Sequence, residues 1–577
     1  MKISAYEFLR KIYISKRAPV TVKFIIIYLL NSYKKHKRLI KFQFPWIKSG
    51  KKNIIGLPLF EQNSYAYYAQ YYAESFVMDK LNFQNSNLYK YEIYKSRLFQ
   101  PLKPIKLSFK EDSLLPISIK DNKFVNENYF FDNSYINLSV NSENYALKDL
   151  IKNRFHTIRF NKGDSCIINS PNELLVGKPL ELNHQSNKKK LVLVLFIDAL
   201  GASLFKDYPI EKLMPNTYNF FRKGVIFKNC YSNAEYTTPS LASMTTGKYV
   251  HNNNFFHPRE RQIIGKEQKM LNQYFHEEGF FTQLITGNYG QNPSQGYCID
   301  YDRTIYKNSL KHQDSIMEFI DSMRVFKDRN VFTWISLLDI HHPLNIIPSF
   351  SAGSKMSIRA HDYNSGDPPA SKTTFKGFCP KSTERHVLEI EKVDYHMKTL
   401  YDFLEENYSD DEFLITLVSD HATSATVQTQ NTGSILRKEK TNVPFMIRGT
   451  NIESVESGEM IENVDILPSI LNSCNISFDN KKIDGRLPKE LGGYGKDFIF
   501  TESIYPGQTY KASIKDSSYE CFIEGVNLTN NEGEINLNKY SFEVQDINTG
   551  IKINESKIIN LYLEKFRKIL KMNDNSL

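Results

Sequence analysis

Between Leu191 and about residue 500 the apolar positions fall into two alternating patterns, short unbroken runs and longer helical stripes. The run Leu191 to Ile197, LVLVLFI, has the length and β-branched character of a strand buried on both faces of a parallel sheet, and it stops at Asp198. VFTWISLL and EFLITLV read the same way, and KMLNQYFHEEGFFTQLITG reads as a helix leading into a strand. From His386 to Asn407 the apolar residues Val387, Ile390, Val393, Met397, Leu400 and Leu404 share one helical face. Thr237-Thr238-Pro239-Ser240, followed by LASMTTG, reads as a helix start, because proline suits the first helical turn and threonine the position before it. Strands alternating with helices predict a mostly parallel sheet between helix layers, an α/β domain over residues 190–500.

The flanks have other textures. Residues 1–105 are rich in Tyr, Lys and Asn, with helical segments predicted at Ala5 to Tyr13 and Tyr65 to Leu81. Residues 106–185 consist of short alternating runs such as YINLSV, FHTIRF and DSCIINS, broken by Asn, Asp and Gly, which predicts a small β-sandwich domain. That module is either a packing domain or a glycan holder. The polar stretch Asn183 to Lys190 marks the boundary. Residues 501–577 read as short strands and a final amphipathic helix, Ile558 to Met572, a smaller subdomain packed on the core.

At 577 residues the chain is long enough for two or more domains and a large core. Its net charge of +10 is uneven, since residues 1–52 hold 14 Lys or Arg against the single acid Glu7. A basic end of this kind suits an anionic membrane face or polyanion, or else a solvated helical face. No base-reading motif accompanies it, so nucleic acid is not expected. The apolar piece Phe24 to Leu30 imitates a signal peptide, but Lys23 precedes it, no cleavage site follows, and a spanning helix needs about 20 apolar residues. The expectation is a cytoplasmic protein, soluble or peripheral to the inner membrane face. Cys166, Cys230, Cys298, Cys379, Cys474 and Cys521 show no CxxC spacing, as expected of reduced structural thiols.

Ionisable residues gather where strands end. Asp198 closes one buried run and Asp420-His421 closes another, and open α/β sheets collect their ligands at such ends. Asp339-Ile340-His341-His342-Pro343 closes a third; an imidazole titrates near neutrality, so His341 suits general acid work. The Ser-, Gly- and Pro-rich stretch from His342 to Arg385 reads as a substrate-covering loop, with Arg359, His361 and Lys372 as residues to test. Lys438 or Lys440 would bring positive charge near a bound phosphate, or belongs to a solvated cluster.

The strand-end Asp198, the Thr-x-Pro-Ser helix start closed by Thr246-Gly247-Lys248-Tyr249, LLDIHHP at Leu337 to Pro343, LVSDHA at Leu417 to Ala422, NVPFMIRG at Asn442 to Gly449, VDILPSIL at Val464 to Leu471 and DGRLP at Asp484 to Pro488 follow one order. That order resembles the alkaline phosphatase superfamily, in particular its sulfatase-like branch. The resemblance implies a three-layer α/β/α core with a mostly parallel sheet. It also implies one divalent metal held by Asp198, Asp420, His421 and Thr237, with Thr237 as nucleophile. His341 would protonate the leaving group, and Asn288 and His342 would touch substrate together with Lys438 and Arg359. A mixed oxygen and nitrogen donor set favours Mn²⁺ or Zn²⁺ over Ca²⁺ or Mg²⁺.

Departures from the family pattern narrow the chemistry. Threonine cannot become the aldehyde hydrate that sulfatases make from Cys or Ser. Their Arg after Pro-Ser is Leu241 here, their Gly-Lys-x-His segment falls on Gly287-Asn288-Tyr289-Gly290, and no histidine follows His421 to complete a two-metal site. The pattern that remains is similar to the one-metal, Thr-nucleophile enzymes of phosphoglycerol and lipoteichoic acid synthesis. It implies transfer or cleavage of a phosphodiester-linked group, from a phospho-alcohol donor to a glycan or lipid-linked glycan acceptor. A sulfatase or phosphomonoesterase is the alternative enzyme, and a non-catalytic glycan-binding protein of the same fold the alternative outside enzymes.

Overall fold

The computed structural model describes residues 66–73, 89–119, 135–182 except 149 and 151–154, and 188–572 except 258–261, 263, 265–267, 292, 308–309, 342–379, 424–435, 437 and 450–451. Its centre is formed by β1 (Tyr89–Phe99), β2 (Leu191–Ile197), β3 (Val225–Tyr231), β4 (Phe281–Thr286), β5 (Arg303–Tyr306), β6 (Val331–Leu337), β7 (Phe413–Val418), β8 (Asn442–Gly449) and β9 (Val455–Glu462). Their spatial order is β1-β5-β4-β6-β2-β7-β8-β3-β9. From β5 to β7 every neighbour is parallel. β8 runs antiparallel to β7 and β3, and β9 lies parallel to β3.

Alternation along β2 produces the layers. Leu191, Leu193, Leu195 and Ile197 enter one apolar core, while Val192, Val194 and Phe196 enter the other. Helix α1 (Thr237–Thr246) lies on the second side with Ile466–Ser473, and α2 (His312–Phe326) and α3 (Pro380–Asn407) lie on the first. The result is the expected α/β/α sandwich. In α3 the stripe Ile390, Val393, Met397, Leu400 and Leu404 is wholly buried, as its spacing predicts. Fully buried side chains of this size contribute about 1.5–3 kcal/mol each, so seven in β2 alone hold firmly the strand whose end carries Asp198.

Two expectations for the N-terminal third are corrected. Ala66–Ala73 is a strand antiparallel to β1, where a helix is predicted for Tyr65 to Leu81. Its run AYYAQYYA is dense in tyrosine, which favours a paired pleated strand, and its partner is non-local and invisible to periodicity. The other predicted helix, Ala5 to Tyr13, lies outside the described residues. Nor is 106–185 a separate sandwich. β1 pairs antiparallel with β5 on one side and with Leu174–Gly177 on the other, and Ser113–Ile119 follows, extending the central sheet to 14 strands among the described residues. A second antiparallel sheet, Ile105–Ser108, Ser165–Asn169, Ile136–Val140 and Glu143–Leu147, closes over that extension around Leu115, Ile117, Phe160 and Ile168. A buried polar seam fixes the join: Arg303 of β5 donates to Glu92 of β1 at 2.7 Å and to Gln283 and Ser322 at 2.8 and 2.6 Å.

At the other end, Phe498–Ser503, Thr509–Asp516, Tyr519–Leu528 and Tyr540–Asp546 form an antiparallel sheet, covered by the helix Ser556–Leu570 through the buried Tyr562 and Phe566. Its core takes in Ala234 and Phe256, and Asn233 Nδ2 donates to the Phe500 carbonyl at 2.7 Å. This subdomain therefore buttresses the chain just ahead of Thr237. Among the described residues no helix is long and apolar enough to cross a membrane.

Candidate active site

Register brings the two carboxylates together. β2 aligns Phe196 with Val418 of β7, so continuing two residues sets Asp198 beside Asp420 at the carboxyl end of the sheet. Ala199, directly after Asp198, has φ 65°, a left-handed conformation unusual for a residue with a side chain. That turn points successive N–H groups across to β7: Ala199 N–H donates to Asp420 Oδ1 at 3.0 Å and Leu200 N–H to Ser419 Oγ at 3.1 Å. Gly201 completes it, since a Cβ there would stand 2.4 Å from the Cβ of Ala422.

Asp198, Asp420 and His421 are buried. Asp198 Oδ1 and Asp420 Oδ2 have no hydrogen bond. His421 Nδ1 lies 3.2 Å from the Ala422 carbonyl, which can only accept, a contact that favours the tautomer with its lone pair on Nε2. That Nε2 lies 3.2 Å from Asp420 Oδ2 and 3.2 Å from Thr237 Oγ1. His341 Nε2 stands 3.8 Å from Asp198 Oδ1, and one donor atom each from Asp198, His341 and His421 fall within 4.8 Å of one another. Burial, and then the Asp420 charge, drive the Asp198 carboxyl well above the usual carboxylate range; the Asn288 amide and the Thr237 hydroxyl oppose the rise. Buried carboxylates with unbonded oxygens beside an imidazole lone pair fit a divalent cation, which would remove their repulsion.

Thr237 is the first residue of α1, half-buried at the helix N-terminus. Ser240 explains the motif around it. Its Oγ donates to the Asp420 carbonyl at 3.0 Å, accepts from Asn463 Nδ2 at 3.0 Å and lies 3.2 Å from Ser232 Oγ. Asn463 Nδ2 also donates to the Ser419 carbonyl at 3.2 Å. Helix start and strand end are thereby tied into one unit. Ser232 and Asn463 carry no sequence signal beyond adjacency to recognisable segments, and both escape a reading by motif.

Asn288 turns its amide onto Asp198. It is only 2% exposed; Nδ2 donates to Asp198 Oδ2 at 2.6 Å, and Oδ1 accepts the Gly290 N–H at 2.7 Å. Both ends of the amide are engaged inside the protein. Leu241, where an arginine would grip sulfate, is a core residue. Lys440 is buried and its carbonyl accepts the Ala422 N–H at 2.8 Å, while its charge helps restrain the carboxyl of Glu235. Burial pushes that Glu235 carboxyl up to about 7, although the Ser503 hydroxyl and the Lys511 and Lys440 charges pull the other way. His342, Arg359, His361, Lys372 and the Lys438 side chain lie outside the described residues.

Solved structures of known proteins are similar in fold. A 2-O GAG sulfatase structure is similar at 14% identity with a TM-score of 0.50, over 68% of this chain and 94% of that one. A structure from the metabolism of multiple glycosaminoglycans by Bacteroides thetaiotaomicron is similar at 13% identity and a TM-score of 0.51, over 67% and 98%. A phosphonate monoester hydrolase from Silicibacter pomeroyi matches at 13% identity and a TM-score of 0.49, over 67% and 97%. The family model described as Sulfatase matches residues 190–476, the segment that supplies every residue of the strand-end cluster. Through residues 190–476 the chain carries a sulfatase-type domain of the alkaline phosphatase superfamily.

Proposed function

We propose that this protein cleaves or transfers a phosphodiester-linked group through Thr237. The observation that carries the reading is the Thr237 hydroxyl itself. It stands at the first residue of α1, 3.2 Å from His421 Nε2 and against Asp198, in the position where the resemblance requires a Cys or Ser for sulfate chemistry. The loss of the sulfate-gripping cations supports it, with Leu241 in the core and Asn288 engaged on Asp198.

Asp198, Asp420, His421 and Thr237 would hold the metal, which when bound lowers the pKa of a hydroxyl and draws charge from phosphoryl oxygens. The residues of the chain do the rest. Thr237 Oγ1, once deprotonated, forms a bond to phosphorus as the bond to the leaving alcohol breaks. His341, 22% exposed at its side chain and aimed at Asp198, gives that alcohol its proton. An incoming alcohol or water then gives its proton to His341 and bonds to phosphorus as the bond from phosphorus to Thr237 Oγ1 breaks, which frees the product and returns Thr237 to its deprotonated state. The N–H groups of Thr237 and Thr238 at the start of α1 would face the phosphate oxygens, since Pro239 has none and the Ser240 N–H goes to the Tyr236 carbonyl. Asn288 positions Asp198.

A phospho-alcohol donor and a glycan or lipid-linked glycan acceptor complete the proposal, with Mn²⁺ or Zn²⁺ as the ion. The basic residues 1–52 would meet the inner membrane face from the cytoplasm; they lie outside the described residues, and their charge alone supports this. The test is turnover of matched aryl phosphodiester, phosphomonoester and sulfate ester with added Mn²⁺ or Zn²⁺, by the native chain and by Thr237→Ala. Metal-dependent diester turnover that Thr237→Ala abolishes is the expected result. Preference for the sulfate ester or monoester would install the alternative enzyme reading, and absence of both turnover and metal binding would leave a glycan-binding role.

A further inference from the structure

A second set of ligand-type atoms lies close to His341 but outside the site just described. One donor atom each from His312, Asp339 and Glu389 fall within 4.8 Å of one another, and all three residues are buried. They come from three elements: the first residue of α2, the turn after β6, and the first half of α3. His312 Nδ1, Asp339 Oδ1 and Glu389 Oε2 are each without a hydrogen bond.

The remaining atoms of the same side chains are tied down. Asp339 Oδ2 accepts the His312 backbone N–H at 2.8 Å, and Glu389 Oε1 accepts from Lys392 Nζ at 3.2 Å. His312 Nε2 lies 2.6 Å from His396 Nδ1. With the proton on His312 Nε2, this ring turns a bare Nδ1 lone pair toward Asp339. Nδ1 stands 3.1 Å from Asp339 Oδ2, and with the proton on Nδ1 instead the two make an ion pair that, against the upward pull of burial, helps hold the Asp339 carboxyl below the usual carboxylate range. A lone pair set against a carboxylate is repulsive unless a cation joins them, and metal-bound histidines characteristically donate their second N–H to a partner, as His312 would to His396.

The geometry points to a second divalent-metal site, structural in role, held by His312 Nδ1 and the Asp339 and Glu389 carboxylates. One imidazole and two carboxylates suit Zn²⁺; Ca²⁺ would ask for six to eight oxygens. Its place gives it a purpose. An ion here ties α2 and α3 to the strand end from which His341 emerges two residues later, so it sets the position of the general acid without touching substrate. The rival arrangement is an ion-pair cluster with no metal, neutralised by Lys392 and by Lys311, whose Nζ lies 3.3 Å from Asp339 Oδ1.

The test uses the untagged full chain, stripped with a chelator, dialysed against Zn²⁺ and assayed for zinc per chain. Asp420→Ala disables the first site. The expected result is one zinc per chain in Asp420→Ala and none in Asp420→Ala/Glu389→Gln, with Zn²⁺ raising the thermal midpoint of the first variant only. Circular dichroism checks folding, and His312→Gln replaces Glu389→Gln if the latter fails to fold. No zinc in Asp420→Ala overturns the assignment in favour of the ion-pair cluster. So does zinc that persists in folded Asp420→Ala/Glu389→Gln.

Discussion

Replacing Asn288 with alanine separates a positioning role from a substrate contact. In the native chain Nδ2 donates to Asp198 Oδ2 at 2.6 Å, and the amide is held in that orientation by the Gly290 N–H at 2.7 Å. A hydrogen bond to a charged acceptor contributes about 1.5–3 kcal/mol. Its loss leaves an oxygen of Asp198 desolvated and its carboxylate free to turn, in a site where the other oxygen already lacks a hydrogen bond. Spread over metal binding, that energy corresponds to roughly a 10- to 150-fold weaker affinity, the range seen when outer-shell partners of metal ligands are removed. The assay is titration of Mn²⁺ or Zn²⁺ into stripped native and Asn288→Ala protein, followed by turnover of the best substrate at saturating metal. The expected outcome is a metal dissociation constant raised about 10- to 100-fold, with KM little changed once the site is filled. Unchanged metal affinity with a raised KM would refute the reasoning and return Asn288 to the substrate contacts.

Three further outcomes follow from buried geometry. Ser240→Ala removes the hydroxyl shared by the Asp420 carbonyl and Asn463 Nδ2, and should cost about 1–3 kcal/mol in denaturant unfolding as well as activity, because both partners stay buried. Gly201→Ala forces a Cβ to 2.4 Å from that of Ala422 and should destabilise by about 1–3 kcal/mol, and Ala422→Gly in the same chain should restore much of the loss. His386 is held neutral: burial lowers its imidazole to about 4, against a smaller upward pull from the Ile340 backbone. Its folded pKa lies below the ordinary value of about 6.5, so its contribution is intact above that pH and is lost as pH falls toward about 4, by about 3 kcal/mol. Denaturant unfolding of native and His386→Phe chains at neutral and mildly acidic pH reads this directly, since the variant should lack that step.

The metal-capable cluster is legible because its residues sit on features with local signatures. Asp198 and Asp420 each end an unbroken apolar run, and parallel neighbours of equal register bring such ends level. Thr237 opens a helix whose Pro239 and Ser240 announce it. What the sequence conceals is whatever depends on a partner far along the chain. Asn288 takes the place of a cationic residue in the family pattern, and only the fold reveals that its amide is turned onto Asp198. Ser232 and Asn463 are ordinary polar residues until α1 is packed on β7. The tyrosine-rich strand Ala66–Ala73 and the extension of the central sheet through β1 fail to appear for the same reason, since sheet pairing is set by a partner and not by the strand's own period. His312 and Glu389 make the strongest case: each has an unremarkable setting in the chain, and with Asp339 they form a buried, ligand-rich cluster beside the proposed general acid. Clusters of this kind are costly to bury without a cation, so a reading by motif reports the chemistry a family shares, and unbonded buried donors report what this chain adds.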